Sequence, residues 1–77
     1  MSEPVLLDTK GMKCPLPVLK ARKAMKSLAP GGTMEVLATD PGAAKDFEHF
    51  CQTTGCVLID ASEQAGGVLR FVLRKPG

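Results

Sequence analysis

The sequence predicts an α+β fold: a two-layer sandwich of order β-α-β-α-β-β, with a four-stranded mixed sheet and both helices on one face. Three observations carry this reading. Short apolar runs alternate with two stretches of helical periodicity, each with a single apolar face. The last two apolar runs are separated by a turn containing Gly66-Gly67, a hairpin signal. The final run alternates, Leu69, Phe71 and Leu73 against Arg70, Val72 and Arg74, as in a sheet covered on one side and mostly wet on the other. At 77 residues the chain is expected to be one domain, 1–77. A chain this short buries only about 60% of its unfolded surface, so one apolar layer must serve both sheet and helices.

Val5-Leu6-Leu7-Asp8 is the first expected strand. Thr9 to Lys13 is a loop with Gly11 as its flexible point. A helix is expected from about Pro15 to Leu28, because Val18, Ala21, Met25 and Leu28 recur at i, i+3, i+7 and i+10. Lys20, Arg22, Lys23 and Lys26 fall largely away from that stripe. Ala29-Pro30-Gly31-Gly32 stops the helix, since proline cannot continue it and glycine supplies the positive φ of a terminating turn. Thr33 to Thr39 is the second strand, with Met34, Val36 and Ala38 on one face. Asp40-Pro41 reads as N-cap and first position of a second helix. That helix runs to about Thr54 and places Ala43, Phe47, Phe50, Cys51 and Thr54 on a shared face; Gly55 closes it. Val57-Leu58-Ile59 and Val68 to Leu73 form the hairpin. The first β-α-β crossover favours parallel pairing, and the hairpin is antiparallel.

Composition narrows the function. The chain is 44% hydrophobic and 23% charged, an ordinary globular balance. No apolar run approaches the roughly 18 residues that span a bilayer. Met1 to Val5 has neither a basic start nor an apolar segment of the secretory kind, so a cytoplasmic setting is expected, with no membrane partner. The three cysteines, Cys14, Cys51 and Cys56, are odd in number and include no C-x-x-C pair, which argues against a disulfide framework and against the common zinc and dithiol sites. Neither Cys51 nor Cys56 has a metal-ligand companion. Net charge is +2, but six of the ten basic residues lie between Lys10 and Lys26, and no Asp or Glu occurs between Asp8 and Glu35. That cluster is either a solvated helix face or a patch that steers an acidic partner.

The informative stretch is "GMKCPLPVLKARK", Gly11 to Lys23. Proline is favoured at the first helical position. With Pro15 there, Cys14 becomes the N-cap, beside the free N–H groups of the first turn, the positive end of the helix dipole and the charges of Lys10 and Lys13. These effects favour thiolate over thiol, so a reactive, exposed nucleophile with a lowered pKa is expected. The competing reading is an inert cysteine at a helix start, although cysteine is not a preferred cap. Cys51 shares the apolar helix face and reads as packing; Cys56, opening a strand just after Gly55, reads the same way. His49, the single histidine, reads as a surface residue. Cys14 has neither a base for hydrolytic work nor a resolving thiol nearby in sequence. A carrier that accepts a sulfur as persulfide needs only the one accessible thiol.

Cys14-Pro15-Leu16-Pro17, preceded by Leu7-Asp8 and Gly11 and followed by Pro30-Gly31-Gly32, Asp40-Pro41 and Phe50-Cys51, resembles the sulfur-carrier family of TusA and its SirA-like relatives along nearly the whole chain. The resemblance implies the same β-α-β-α-β-β sandwich and maps the family's sulfur-bearing cysteine onto Cys14. It implies a donor protein, a cysteine desulfurase or a rhodanese, and an acceptor protein in tRNA thiolation, molybdenum-cofactor synthesis or sulfur oxidation. Such a chain is a sulfurtransferase-type carrier rather than a free-standing enzyme, and the resemblance implies no metal and no bound cofactor. Family members of the tRNA-thiolation type carry Glu between the prolines; here it is Leu16. Met12, Lys13, Pro15, Leu16, Pro17, Lys20 and Lys23 are the expected site-shaping and docking residues. The alternative is a regulatory module that binds nucleic acid or protein through the basic first helix. No direct nucleic-acid contact is expected, because the chain has no Tyr or Trp and its three Phe residues fall at core-like spacing.

Overall fold

Alternation builds the sheet. In β2 (Thr33–Ala38) every second residue, Met34, Val36 and Ala38, is fully buried, and in β4 (Leu69–Arg74) Phe71 and Leu73 are buried on the same side. The computed structural model describes residues 5–76, so the reading of Met1 to Pro4 lies outside the described residues. With β1 (Val5–Thr9) and β3 (Val57–Glu63) these strands form one mixed sheet of order β1-β2-β4-β3. β1 runs parallel to β2, with Val5 opposite Met34 and Thr9 opposite Ala38. β4 is antiparallel to both β2 and β3.

Helices α1 (Leu16–Met25) and α2 (Ala43–Thr54) cover one face of this sheet. α1 buries Pro17, Ala21 and Met25; α2 buries Ala43, Phe47, Phe50 and Cys51. Phe47 is at the centre, 4.8 Å from the Phe71 ring and edge-on to Phe50 at 6.4 Å. The opposite face stays open to solvent. There Arg70 bridges Glu35 and Asp60, each at 3.0 Å, across three strands.

The helix ends differ from the sequence reading. The N-cap of α1 is Pro15, not Cys14, so Cys14 stands one residue outside the helix. α1 stops at Met25 rather than Leu28, because the next N–H groups, of Lys26, Ser27 and Leu28, bond three residues back and tighten the chain out of α geometry. α2 begins at Ala43, capped by Gly42, instead of at Pro41. Asp40 heads the turn before it: its carbonyl accepts the Ala43 N–H at 3.0 Å, and its side-chain Oδ1 accepts the Gly42 N–H at 3.1 Å. β3 is longer than Val57 to Ile59, and a bulge between Leu58 and Asp60 breaks its alternation. β4 begins at Leu69, one residue later than expected, and ends at Arg74.

Candidate functional site

The two parallel strands end side by side, and the chain leaving each supplies half of a site, as is usual at the carboxyl ends of parallel strands. After β1, Thr9 is fully buried and donates its hydroxyl to the Leu37 carbonyl at 2.5 Å. Its own carbonyl accepts the Met12 N–H at 3.1 Å, closing a turn that requires positive φ at Gly11. The Gly11 N–H in turn donates to Thr39 Oγ1 at 2.9 Å. This ties the loop to the end of β2 and delivers Cys14 to the surface. After β2, Asp40 reaches back: its Oδ2 accepts the Cys14 N–H. Gly42 lies against the same residue, and a Cβ there would stand 3.8 Å from Cys14 Cβ and 4.0 Å from its sulfur. α2 then places Asp46 so that its Oδ2 accepts a hydrogen bond from the Cys14 thiol.

These contacts correct the expected electrostatics. The Cys14 pKa is not lowered but pushed up to about 11. The hydrogen bond to Asp46 is the main cause; desolvation and the negative charges of Asp46 and Asp40 act in the same direction. The cationic neighbourhood read from the sequence loses to two carboxylates that come from a distant part of the chain. Asp40 itself is held below the usual carboxylate range, first by the Cys14 N–H and then by the Gly42 N–H, with Lys13 helping.

The other expected site residues divide. Lys13, Cys14, Pro15 and Leu16 are exposed, Leu16 by 47%, and Met12 is half-buried. Pro17 is buried in the core and shapes the helix start from inside. Lys20 and Lys23 are exposed, but they flank a shallow depression with Leu7, Ala24 and Ser27 on the β1 side of α1. The groove beside Cys14 lies between the two helices and is lined instead by Pro15, Val18, Arg22, Asp46, His49 and Phe50. Arg22 is thus the basic residue of the first helix that faces this groove, 5.8 Å above the Phe50 ring. His49 is exposed, as expected, and shares the groove. Cys51 and Cys56 are buried, as expected; Thr54 Oγ1 donates to the Cys56 sulfur at 3.1 Å. Sequence reasoning missed Asp46. Its one visible signal was an acidic residue bordering the Ala43-Phe47-Phe50 stripe, on the side that a neighbouring helix would meet.

The family model described as "Sulfurtransferase TusA" matches residues 5–75. The chain belongs to the TusA family. Within it, the chain is 58% identical over 60 residues to a Neisseria meningitidis protein, covering 78% of this chain and 81% of that one. It is 42% identical over 69 residues to the sulfur carrier protein TusA of Allochromatium vinosum, covering 90% of each. A SirA-like protein of Desulfitobacterium hafniense has the same fold, with a TM-score of 0.84, 24% identity and 95% of this chain covered. The alternative of a nucleic-acid or regulatory module on the basic first helix finds no support among these TusA relatives. Among the described residues no group of three or more side chains is arranged to hold a metal, and no helix is long and apolar enough to cross a membrane.

Proposed function

We propose that the chain is a sulfur carrier that holds its cargo as a persulfide on Cys14. The carrier role follows from membership of the TusA family. The single observation that favours Cys14 as the bearer is exposure: it is the one exposed cysteine, while Cys51 and Cys56 are buried. A sulfur passed between proteins must be reachable by two partners in turn, and only an exposed thiol on a protruding turn meets that need. The donor is a protein persulfide of the desulfurase or rhodanese class, and the acceptor is a second protein thiol. Both would dock on the rim formed by Met12, Lys13, Pro15 and Leu16, whose apolar members suit an apolar partner surface. Pro17 supports that rim from the core. Lys20 and Lys23 belong to a secondary, cationic contact on the β1 side of α1. The setting of this relay is cytoplasmic, and the chemistry, a sulfur atom moved between thiols, needs no metal or cofactor.

The test is intact-mass analysis after incubation with a cysteine desulfurase plus cysteine, or with a rhodanese plus thiosulfate. The chain should gain the mass of one sulfur atom, and Cys14→Ser should gain none. A gain that persists in Cys14→Ser would move the site to another cysteine.

A further inference from the structure

The carrier reading leaves the proton of Cys14 unaccounted for. A thiol that attacks a persulfide must first lose its proton, and here that proton lies in the hydrogen bond to Asp46 Oδ2. Asp46 stands near the start of α2, half-buried in the wall of the groove between the helices. Arg22 from α1 and His49 from α2 share the groove with it, while Asp40, with the charge of Lys13 acting on it, stands on the Cys14 backbone N–H. Asp40 is an unsuitable base, because its two oxygens are committed to the N–H groups of Cys14 and Gly42. Arg22 and Lys13 are cations without an acceptor. His49 makes no hydrogen bond to the sulfur among the described residues. Asp46 is the group already in contact with the reacting atom.

We propose that Asp46 is a catalytic residue of the sulfur transfer, the proton acceptor that releases the Cys14 sulfur for attack and returns the proton afterwards. The inference rests on Cys14 being the sulfur bearer. In loading, the Cys14 sulfur attacks the outer sulfur of a donor persulfide, R–S–SH. A new S–S bond forms as the bond from that sulfur to R–S breaks, and R–S⁻ departs. The Cys14 proton passes to Asp46 and from there to R–S⁻. The products are R–SH and Cys14–S–SH, with no net oxidation or reduction. In delivery the acceptor thiolate attacks the outer sulfur, and Cys14 leaves and is reprotonated through the same carboxylate. Between transfers Asp46 keeps the thiol neutral. A thiolate is the form that oxidants and electrophiles attack, so the same contact shields the resting carrier.

Two readouts on Asp46→Asn test this, because they should move in opposite directions. The first is the pH dependence of Cys14 alkylation by iodoacetamide. Its midpoint should fall from about 11 towards the ordinary cysteine value of 9.0. At neutral pH the variant should then label faster, by up to about 100-fold. The second is single-turnover loading from a persulfidated rhodanese at neutral pH. A general base contributes about 10²–10⁴-fold; at the middle of that range, about 10³-fold, its loss outweighs a thiolate gain of up to about 100-fold, and loading should slow by about 10-fold. Asp46→Glu, which keeps the carboxylate, should recover part of the loading rate, whereas a merely structural defect would not be rescued in this way. Loading at the parent rate or faster in Asp46→Asn, or an unmoved alkylation midpoint, overturns the proposal. Cys14→Ser is run in parallel: if it still gains sulfur, the bearer assignment has failed; if only the Asp46 variants behave as the parent, the carrier reading survives and the proton role of Asp46 is lost.

Discussion

The thiols of Cys14 and Cys51 are both pushed up to about 11, for different reasons. At Cys14 the cause is first the Asp46 hydrogen bond; at Cys51 it is first burial, with Cys56 adding a smaller repulsion. A thiol whose folded pKa is raised binds its proton more tightly in the native state than in the unfolded chain. Its contribution to stability is complete below the unfolded value of 9.0 and is lost as pH rises through about 11. Urea midpoints should therefore fall between pH 9.0 and about 11, and Cys51→Ala should show a flatter decline over the same window. Equal declines in the two proteins would contradict this. Cys14 contributes less, because its sulfur is exposed and solvent screens its neighbours. At this scale the sequence made Cys14 legible, through the prolines around it, but got the sign of its pKa wrong. That sign is set first by Asp46, 32 positions away, whose carboxylate accepts from the sulfur, and then by the charge of Asp40, 26 positions away, which accepts the Cys14 N–H; both arrive only through tertiary packing.

The elements themselves were legible because periodicity, unlike side-chain contact, is local. Every strand and both helices occur in the expected order and place; the errors are at ends, chiefly of the helices and of β3, which runs to Glu63 past a bulge. Cap geometry decides those ends, and Pro15 and Gly42 took the cap positions that Cys14 and Asp40 were expected to hold. The stop of α2 was unambiguous. Gly55 adopts φ +80, and its N–H closes the helix on the Cys51 carbonyl at 2.9 Å. A Cβ there would meet only Pro76 Cγ, at 3.9 Å, so space is not the constraint and backbone conformation is. Gly55→Ala should destabilise the fold by about 1–2 kcal/mol, the cost of a left-handed L-residue. Gly55→Asn should cost less, because asparagine tolerates that region better. Urea unfolding of the three proteins checks the order; an alanine variant as stable as the parent would refute it. Lys75, just after β4, is tied to the turn that follows α1: it donates its N–H to the Gly32 carbonyl at 2.8 Å and its ammonium to the Leu28 carbonyl at 2.7 Å.

At the scale of the molecule, one apolar layer joins the sheet to both helices, and the same layer sets the geometry at the surface. Phe47 is fully buried in it, between Phe71 of the sheet and Phe50 of its own helix. It follows Asp46 directly, so the packing of Phe47 against the sheet fixes how α2 presents that carboxylate to Cys14. Proteins of this kind are stable by about 0.05–0.15 kcal/mol per residue, which for 77 residues is about 4–12 kcal/mol. Deleting a buried phenylalanine costs about 3–5 kcal/mol. Phe47→Ala should therefore remove a large share of the total and leave a measurable unfolded population near room temperature. Leu6→Ser, on the open face of the sheet where the side chain is 61% exposed, should change stability by no more than about 0.5 kcal/mol. The site should respond in parallel. In the folded fraction of Phe47→Ala, a loosened α2 would weaken the Asp46 contact, and Cys14 alkylation at neutral pH should accelerate, while Leu6→Ser leaves it unchanged. If Phe47→Ala alters stability alone, with the alkylation of its folded fraction at the parent rate, then the loop after β1 holds the thiol against Asp46 without help from the core.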